Sequence, residues 1–451
     1  MTSPFPPSLI THHWVSTVRS TTPKGFRLHI GLFGRRNVGK SSLLNALTRQ
    51  DVSIVSDIAG TTTDPVEKPM ELLPLGPVLF IDTAGIDDVG ALGEMRVQRT
   101  RQVFDRTDVG VIIAEANDWG PFEDELLNEF RARELPTIVV FNKADLSRPQ
   151  VPMIDRLKPL TVPYVETVAI RGQGILDLRE ALIKAAPEDF INAPSILGDL
   201  VPAGELALLV VPIDLEAPKG RLILPQVQAI RDVLDVDAYC MIAKERELRD
   251  ALDRLKRPPA LVVTDSSVFL KVAGDTPSSV PMTSFSILFA RYKGDLTELV
   301  RGAMAIEDLR PGDRVLIAEA CSHHPIGEDI GRVKIPRWLM QYVGGMLEVT
   351  SVQGHDFPAD VTPYQLIVHC GGCMWNRREM LSRILRCRQQ GTPITNYGVA
   401  IAYSLGIFER ALAPFPAALD VYRAQRPQPW RLCSTTGSTG EDARPTRTAT
   451  A

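Results

Sequence analysis

The chain has 451 residues, enough for about three domains of ordinary size, and its 44% apolar and 23% charged residues suit a globular protein rather than a disordered one. Fifty Lys and Arg against 54 Asp and Glu leave a formal charge of −4, so no global basic field draws the chain to polyphosphate and no nucleic-acid partner is expected. No run of 18 apolar residues occurs, which argues against a spanning helix or membrane partner. The six cysteines all lie from Cys240 onward, too few for a disulfide scaffold and pointing instead to a local metal or redox site in the second half.

Residues 1–24 form a Ser-, Thr- and Pro-rich leader without acidic residues. It is expected to be flexible on a cytoplasmic protein, although an organellar transit peptide has the same composition. Residues 27–33 (RLHIGLF) predict a buried strand, and GRRNVGKSS follows before the helical pattern SLLNALTRQ. Gly34, Gly39, Lys40 and Ser41 match G-x-x-x-x-G-K-[ST] between strand and helix, the context in which backbone amides wrap a β-phosphate. In this reading Lys40 bridges the β- and γ-phosphates and Ser41 binds magnesium; Asn37, Val38 and Ser42 complete the cradle. Residues 78–81 (VLFI) predict a strand ending in Asp82-Thr83-Ala84-Gly85, where Asp82 holds magnesium through water and the Gly85 amide senses the γ-phosphate. Residues 137–141 (TIVVF) predict another, ending in Asn142-Lys143-Ala144-Asp145. The Asp145 carboxylate can accept from guanine N1–H and the 2-amino group, a donor pair that adenine lacks, so GTP is the expected nucleotide. The polar segment Ser56–Asp64 lies at the spacing of a first switch.

This run of motifs, GRRNVGKS, SDIAGTTTDP, DTAG and NKAD, resembles the TrmE–Era group of GTPases. The resemblance implies magnesium coordination by Thr62 and, as in potassium-activated members, potassium ligation by Asn37, with Ser56, Ile58 and Thr61 as weaker candidates. Two departures stand out. Ile86 follows DTAG, where Ras-like GTPases place a water-orienting Gln, so Glu94 is the candidate for that role; it reads equally as a solvated residue of the helix GEMRVQRTRQVF. Val168-Ala169 stands where the group has Ser-Ala, which leaves only backbone amides there to contact the base. Lys40, Thr62 and Glu94 are thus the expected catalytic residues of a GTPase domain over 25–187.

Pro187 and Pro194 mark a linker. Apolar runs at 206–211 and 260–263 separated by helical patterns at Gln226–Leu234 and Lys244–Lys256 predict an α/β layer over 188–275. It carries no chemical constellation, Cys240 reads as a core residue, and assembly is its expected role.

In residues 276–425 a predicted strand at 313–320 delivers Cys321-Ser322-His323, and another at 364–368 delivers His369-Cys370-Gly371-Gly372-Cys373. Three thiols and two imidazoles at strand ends fit either zinc in a closed tetrahedron or a 4Fe-4S cluster with one open iron. Cys387, on the helix beginning at Asn376, reads as packing. Arg332, Lys334, Arg337, Arg377 and Arg378 flank these ligands and read either as countercharge for an anionic cargo or as a solvated basic face. Residues 426–451 are low-complexity and polar, hence expected to be disordered; Cys433 there reads as a free thiol.

A TrmE-like GTPase followed by C-x-H and H-C-x-x-C resembles the HydF family of FeFe-hydrogenase maturation GTPases. TPKGFRLHIGLFGRRNVGKSS, MELLPLGP, RPGDRVLIAEACSHHP, KIPRWL and ITNYGVAIAYSLGIFERAL carry the likeness across roughly residues 22–415. It implies an α/β protein: a P-loop GTPase domain with a mostly parallel sheet, an α/β dimerisation domain and an α/β iron–sulfur domain. Cys321, Cys370 and Cys373 would hold the 4Fe-4S cluster, with His323 or His369 as fourth ligand or hydrogen-bond partner. It further implies a homodimer or higher homo-oligomer that receives a diiron precursor from radical-SAM hydrogenase maturases and passes it to apo FeFe-hydrogenase. A zinc-stabilised GTPase acting on RNA or ribosomes, and an iron–sulfur redox enzyme, are the competing classes.

Overall fold

The computed structural model describes residues 22–49, 66–73, 75–83, 102–149, 151–191, 194–212, 222–320 and 329–425. Thr62, Gly85, Ile86, Glu94, Cys321, His323 and Cys433 lie outside them, as do the leader up to residue 21, the tail from 426 and the expected first switch.

Three sheets follow one another along the chain. The first orders its strands β2 (Val66–Leu72), β3 (Gly76–Asp82), β1 (Leu28–Phe33), β4 (Val109–Glu115), β5 (Thr137–Asn142) and β6 (Tyr164–Glu166), all parallel except the β2–β3 pair. Strands β1, β4 and β5 are buried nearly end to end. Helices cover both faces of such a strand, so its sequence reads as an unbroken apolar run rather than an alternation. Apolar clusters on the two sides of the sheet, one around Ile30, Leu32, Leu43 and Ile138, the other around Phe33, Phe104 and Phe130, confirm the two covered faces. Helix α1 (Lys40–Arg49) leaves the carboxyl end of β1, and α2 (Pro121–Ala132) follows β4.

The second sheet has order β10-β9-β7-β8, with β7 (Leu206–Val210) between β8 (Tyr239–Ala243) and β9 (Leu261–Thr264), and β10 (Met282–Ser284) at one edge. Its last strand lies beyond the border expected at 275/276, because the short run Met-Thr-Ser pairs with β9 although it carries little strand signal of its own. Helix α3 (Leu224–Asp235) matches the predicted helix there, whereas the pattern over 244–256 yields only a short helix at Leu248–Asp253. Cys240 is half-buried on the edge strand β8, not in the core.

The third sheet has order β12-β11-β13-β14 and is wholly parallel, with β11 (Arg314–Glu319) between β12 (Glu348–Gln353) and β13 (Leu366–His369), and β14 (Ile394–Asn396) outermost. Helix α4 (Phe285–Lys293) leads out of the second sheet, and α5 (Arg377–Gln390) follows β13. The second and third sheets share one continuous core, in which Leu208 and Val262 belong to the same apolar cluster as Phe289, Leu316 and Ile367. The two layers read as separate domains in sequence; in three dimensions neither is closed without the other. No described helix is long and apolar enough to cross a membrane.

Candidate functional site

The first site forms where β1 ends. In an α/β sheet ligands bind beyond the carboxyl ends of strands where the order reverses, and β1, flanked by β3 and β4, is that point. Gly34 and Gly39 have φ of +155° and +93°. A Cβ on Gly34 would overlap the Ile113 carbonyl, and one on Gly39 would overlap the Asn142 side chain, so both positions need glycine for space as well as for backbone angle. Asn37 has φ +65°, a left-handed conformation that Asn tolerates. Lys40 is buried and donates to the carbonyls of Gly34 at 2.6 Å and Arg35 at 2.7 Å, folding the loop around its own ammonium. Val38 is buried, and Ser42 is exposed at the start of α1.

The other motifs converge on this loop. Ser41 Oγ donates to Asp82 Oδ2 at 3.0 Å. Burial raises the Asp82 carboxyl above its usual range, with Ser41 and Lys40 opposing, and its second oxygen, Oδ1, is buried without a partner. An orphan carboxylate oxygen beside a hydroxyl suits a hard, oxygen-seeking divalent cation, so Ser41 and Asp82 fit magnesium. Asn142, 3% exposed, donates through Nδ2 to the Val38 carbonyl at 2.8 Å; its Oδ1 accepts from Thr167 Oγ1 at 3.0 Å and from the Ala169 amide at 3.1 Å. This one side chain ties the phosphate loop to the guanine-side segment. The Ala169 amide, expected to face the base, is engaged by Asn142 instead, and the Val168 amide donates to Gln173. Lys143, at φ +59°, pairs with Glu115 at 2.5 Å. Asp145, which the base would require, sits at the rim 3.5 Å from Arg171.

The second site forms at the carboxyl ends of β11 and β13, again where strand order reverses. Ala318 is in register with His369, so the residues after each strand leave the sheet side by side. The Ala320 amide donates to Cys370 Sγ at 3.0 Å. Cys373 is partly buried; burial raises its thiol, with Lys293 and the amides of Cys373 and Met374 opposing. The amide donors and Lys293 oppose that rise without cancelling it, and they would support the thiolate form that a soft metal or an iron–sulfur centre takes. Among the described residues no three His, Cys, Asp or Glu gather as a metal site; Cys321 and His323 lie outside them.

His369 is fully buried, with Nδ1 2.8 Å from the Cys370 carbonyl and Nε2 3.1 Å from Arg383 Nη1. Burial, then Arg383, pulls its imidazole down to about 3. Nδ1–H therefore donates to Cys370 and Nε2 accepts from Arg383. Both nitrogens are thus engaged, which is the hydrogen-bond-partner arrangement expected as one alternative for this histidine. Arg383 in turn lies 3.9 Å over the Trp375 ring and donates to the Gly354 carbonyl at 2.8 Å.

The flanking cations are mostly committed elsewhere. Arg332 pairs with Glu319 at 3.2 Å, Arg377 donates to the Tyr292 carbonyl at 2.6 Å, and Arg378 to the Arg133 carbonyl at 2.8 Å. Cys387 is fully buried, as packing requires. Several residues near this site carry no sequence signal. Arg383 is hidden in an Arg-rich helix that reads as a solvated face, and Lys293 closes an apolar run (FSILFARYK) as any helix-ending lysine would. Lys293 is 1% exposed and contacts the carbonyls of Gly372, Cys373 and Trp375. Helix α5 also binds the GTPase layer. Its N-cap Asn376 donates to the Arg106 carbonyl at 2.9 Å and to Asp108 at 3.1 Å, and Arg386 pairs with Asp105 at 2.8 Å.

The strand order, the glycine cradle and the converging Ser41, Asp82 and Asn142 define a P-loop GTPase domain, followed by a two-sheet α/β unit with a cysteine loop. Comparison with known proteins agrees. Residues 29–143 match the family model for a 50S ribosome-binding GTPase. Residues 196–294 match the hydrogen maturase F dimerization domain, and 297–414 the hydrogen maturase F tetramerization domain. Two hydrogen maturase F domains follow a GTPase domain, and the chain belongs to the hydrogen maturase F family. Its curated relatives include a tRNA modification GTPase MnmE of a Synechococcus strain, 39% identical over 37% of this chain and 37% of that one. Another, of Acaryochloris marina, is 31% identical over 56% of this chain and 53% of the relative. The chain thus spans about a third to a half of the length of the relatives it matches. Among solved structures, Aquifex aeolicus Era bound to GDP and aluminium fluoride is 23% identical with a TM-score of 0.30, covering 48% of this chain and 92% of that one. The G domain of the T. maritima FeoB iron transporter is 22% identical with a TM-score of 0.28, covering 35% and 98%.

Proposed function

We propose that the chain is a GTP-hydrolysing scaffold that holds a 4Fe-4S cluster on Cys321, Cys370 and Cys373. In this reading it carries a diiron precursor from radical-SAM maturases to apo FeFe-hydrogenase. The observation that carries the proposal is the hydrogen bond from the Ala320 amide to Cys370 Sγ at 3.0 Å. Ala320 immediately precedes Cys321 in the chain, so the third thiol belongs to the residue next to one that already touches the first. The engagement of both His369 nitrogens counts against a closed Cys₃His zinc tetrahedron built on that histidine. When bound, the cluster would supply an iron with an exchangeable position, which a carrier needs and a closed site lacks.

In the GTPase domain Lys40 would neutralise β- and γ-phosphate charge, while Ser41 and Thr62 would ligate magnesium, with Asp82 behind them. Asn37 would hold potassium, whose positive charge would act on the transition state as an arginine finger does. Glu94 would orient the attacking water. Homo-oligomerisation would use the second sheet: β8 is an edge strand, and its Tyr239 and Ile242 are exposed, a surface that a second copy could cover.

Anaerobic reconstitution with iron and sulfide, followed by metal analysis and EPR of the reduced protein, tests the proposal. The expected result is about four irons per chain and a reduced-cluster signal, both lost in Cys370→Ser, which also loses hydrogenase activation while keeping GTPase activity. Bound zinc without a reduced-cluster signal would refute the scaffold reading in favour of a zinc-stabilised GTPase.

A further inference from the structure

The segment Lys24-Gly25-Phe26 precedes the first strand of the GTPase domain and takes no part in nucleotide binding. It nevertheless meets the cysteine loop of the third layer. A Cβ on Gly25 would overlap the Trp375 carbonyl oxygen and crowd Lys293 Nζ, so glycine there allows the backbone to approach the loop. Phe26 presents its ring 4.6 Å from the Lys293 ammonium and stacks on Tyr292 with centroids 5.5 Å apart. Lys293 is the last residue of α4. Its Nζ donates to the carbonyls of Gly372 at 3.3 Å, Cys373 at 3.1 Å and Trp375 at closer range.

Three carbonyl acceptors around one nitrogen call for three N–H donors, which the ammonium has and the neutral amine does not. The acceptors belong to the one turn that carries Cys373, closed by the Trp375 amide on the Gly372 carbonyl at 3.0 Å, and Gly372 has φ +60°, so the loop doubles back around the charge. The ammonium also lies 4.6 Å over the Phe26 ring, an aromatic face that attracts a cation without offering a competing acceptor. Drawing the carbonyls inward leaves the Cys373 and Met374 amides turned toward the Cys373 sulfur.

We propose that Lys293 is the positioning residue of the Cys370–Cys373 loop and that Lys24–Phe26 seats it, so that the GTPase domain's own entry segment helps to shape the metal site. The three N–H donors fix the loop before any metal arrives; burial pulls the Lys293 amine down to about 7, while the Cys373 and Cys370 sulfurs and Glu379 oppose that fall and favour its charged form. This rests on the reading that the two cysteines hold a metal centre, but the loop-fixing half can be measured without one.

The test uses the full chain with Lys293→Met, which removes donors and charge, and Lys293→Gln, which removes the charge but keeps two N–H donors. Hydrogen exchange of the peptide spanning 370–376, before any reconstitution, should be at least tenfold faster in K293M and less affected in K293Q. After reconstitution, K293M should lose most of its bound iron. K293Q should retain it with a midpoint potential shifted to more negative values, because a nearby positive charge stabilises the reduced, more anionic cluster. Exchange and potential unchanged in both variants would overturn the proposal. Should K293M fail to fold, Phe26→Leu keeps every donor and removes only the ring; faster exchange at 370–376 then supports the proposal and wild-type exchange refutes it. If the wild-type chain takes up no iron, the cluster reading falls, while the exchange data still decide the role of Lys293.

Discussion

Asn142 is a guanine-motif residue whose side chain reaches the phosphate loop, and replacing it separates bracing from base contact. In Asn142→Ala, the Val38 carbonyl and the Ala169 amide lose their partners; the Thr167 hydroxyl can rotate to another. Each buried backbone group left unpaired costs about 1–3 kcal/mol, so the loss from the two is about 2–6 kcal/mol if neither finds water. At about 1.4 kcal/mol per tenfold, GTP affinity falls by roughly 30- to 20,000-fold if the cost appears wholly in the nucleotide-bound loop. Whatever does not appear there must lower the urea midpoint of the apo chain. Asn142→Asp sharpens the test: it keeps the acceptor for Ala169 and places an oxygen 2.8 Å from the Val38 carbonyl oxygen, so only the phosphate-loop side is damaged. Fluorescent GTP-analogue titration and urea melts of the three proteins make the measurement. A GTP dissociation constant within threefold of wild type for both variants, with unchanged urea midpoints, would refute the bracing role.

Asp82 should leave a signature in pH-dependent stability. Its folded-state carboxyl is held above the ordinary range, chiefly by burial, so between the unfolded and folded values the native state binds the extra proton. Stability then falls as pH rises through that window. In EDTA, the urea midpoint of wild type relative to Asp82→Asn should drop from about pH 4 upward, and a pH-independent gap would contradict it. Asp145→Asn, at a half-exposed rim position, should leave folding intact yet weaken GTP at least tenfold and erase discrimination against ATP; retained preference would remove the assigned guanine contact. Burial pushes the Cys387 thiol up to about 12 and Cys240 up to about 11. Iodoacetamide at pH 8 should therefore leave Cys387 unlabelled until the chain is unfolded and label Cys240 far more slowly than a free thiol; mass spectrometry of the native protein reads both.

The parts of the fold that sequence exposes are those in which one residue answers to one local demand. The central strands β5 and β7 appear as short apolar runs, and β1 and β11 as mainly apolar segments, because each is buried nearly throughout. Gly34 and Gly39 appear as a motif because the cradle tolerates no Cβ at either place. The edge strands β10, β12 and β14 do not appear: Met282–Ser284 and Ile394–Asn396 span three residues each, and β12 (EVTSVQ) is largely exposed. Their pairing is decided by a neighbour distant in sequence. The same distinction separates the site residues. Cysteine is legible because few other uses compete for it in a C-x-x-C pattern. Lysine and arginine are not, because a solvated face is their usual role, and only the fold reveals that Lys293 and Arg383 are 1% and 4% exposed.

His369 shows how a position can be legible in sequence while its role, ligand or hydrogen-bond partner, is not. Its place beside Cys370 and the spacing are compatible with either function. What favours the hydrogen-bonding role is Arg383, 14 residues away on α5, whose guanidinium lies 3.1 Å from Nε2. The same helix begins at Asn376, which holds Arg106 and Asp108 of the GTPase layer, and it is anchored again through Arg386 to Asp105. One helix therefore sets the tautomer beside the cysteine loop while gripping the chain just before β4. A shift of the 102–108 segment on nucleotide exchange would have to be absorbed either by breaking the Asn376 and Arg386 contacts or by moving α5, and only the second would carry the change to Cys370 and Cys373.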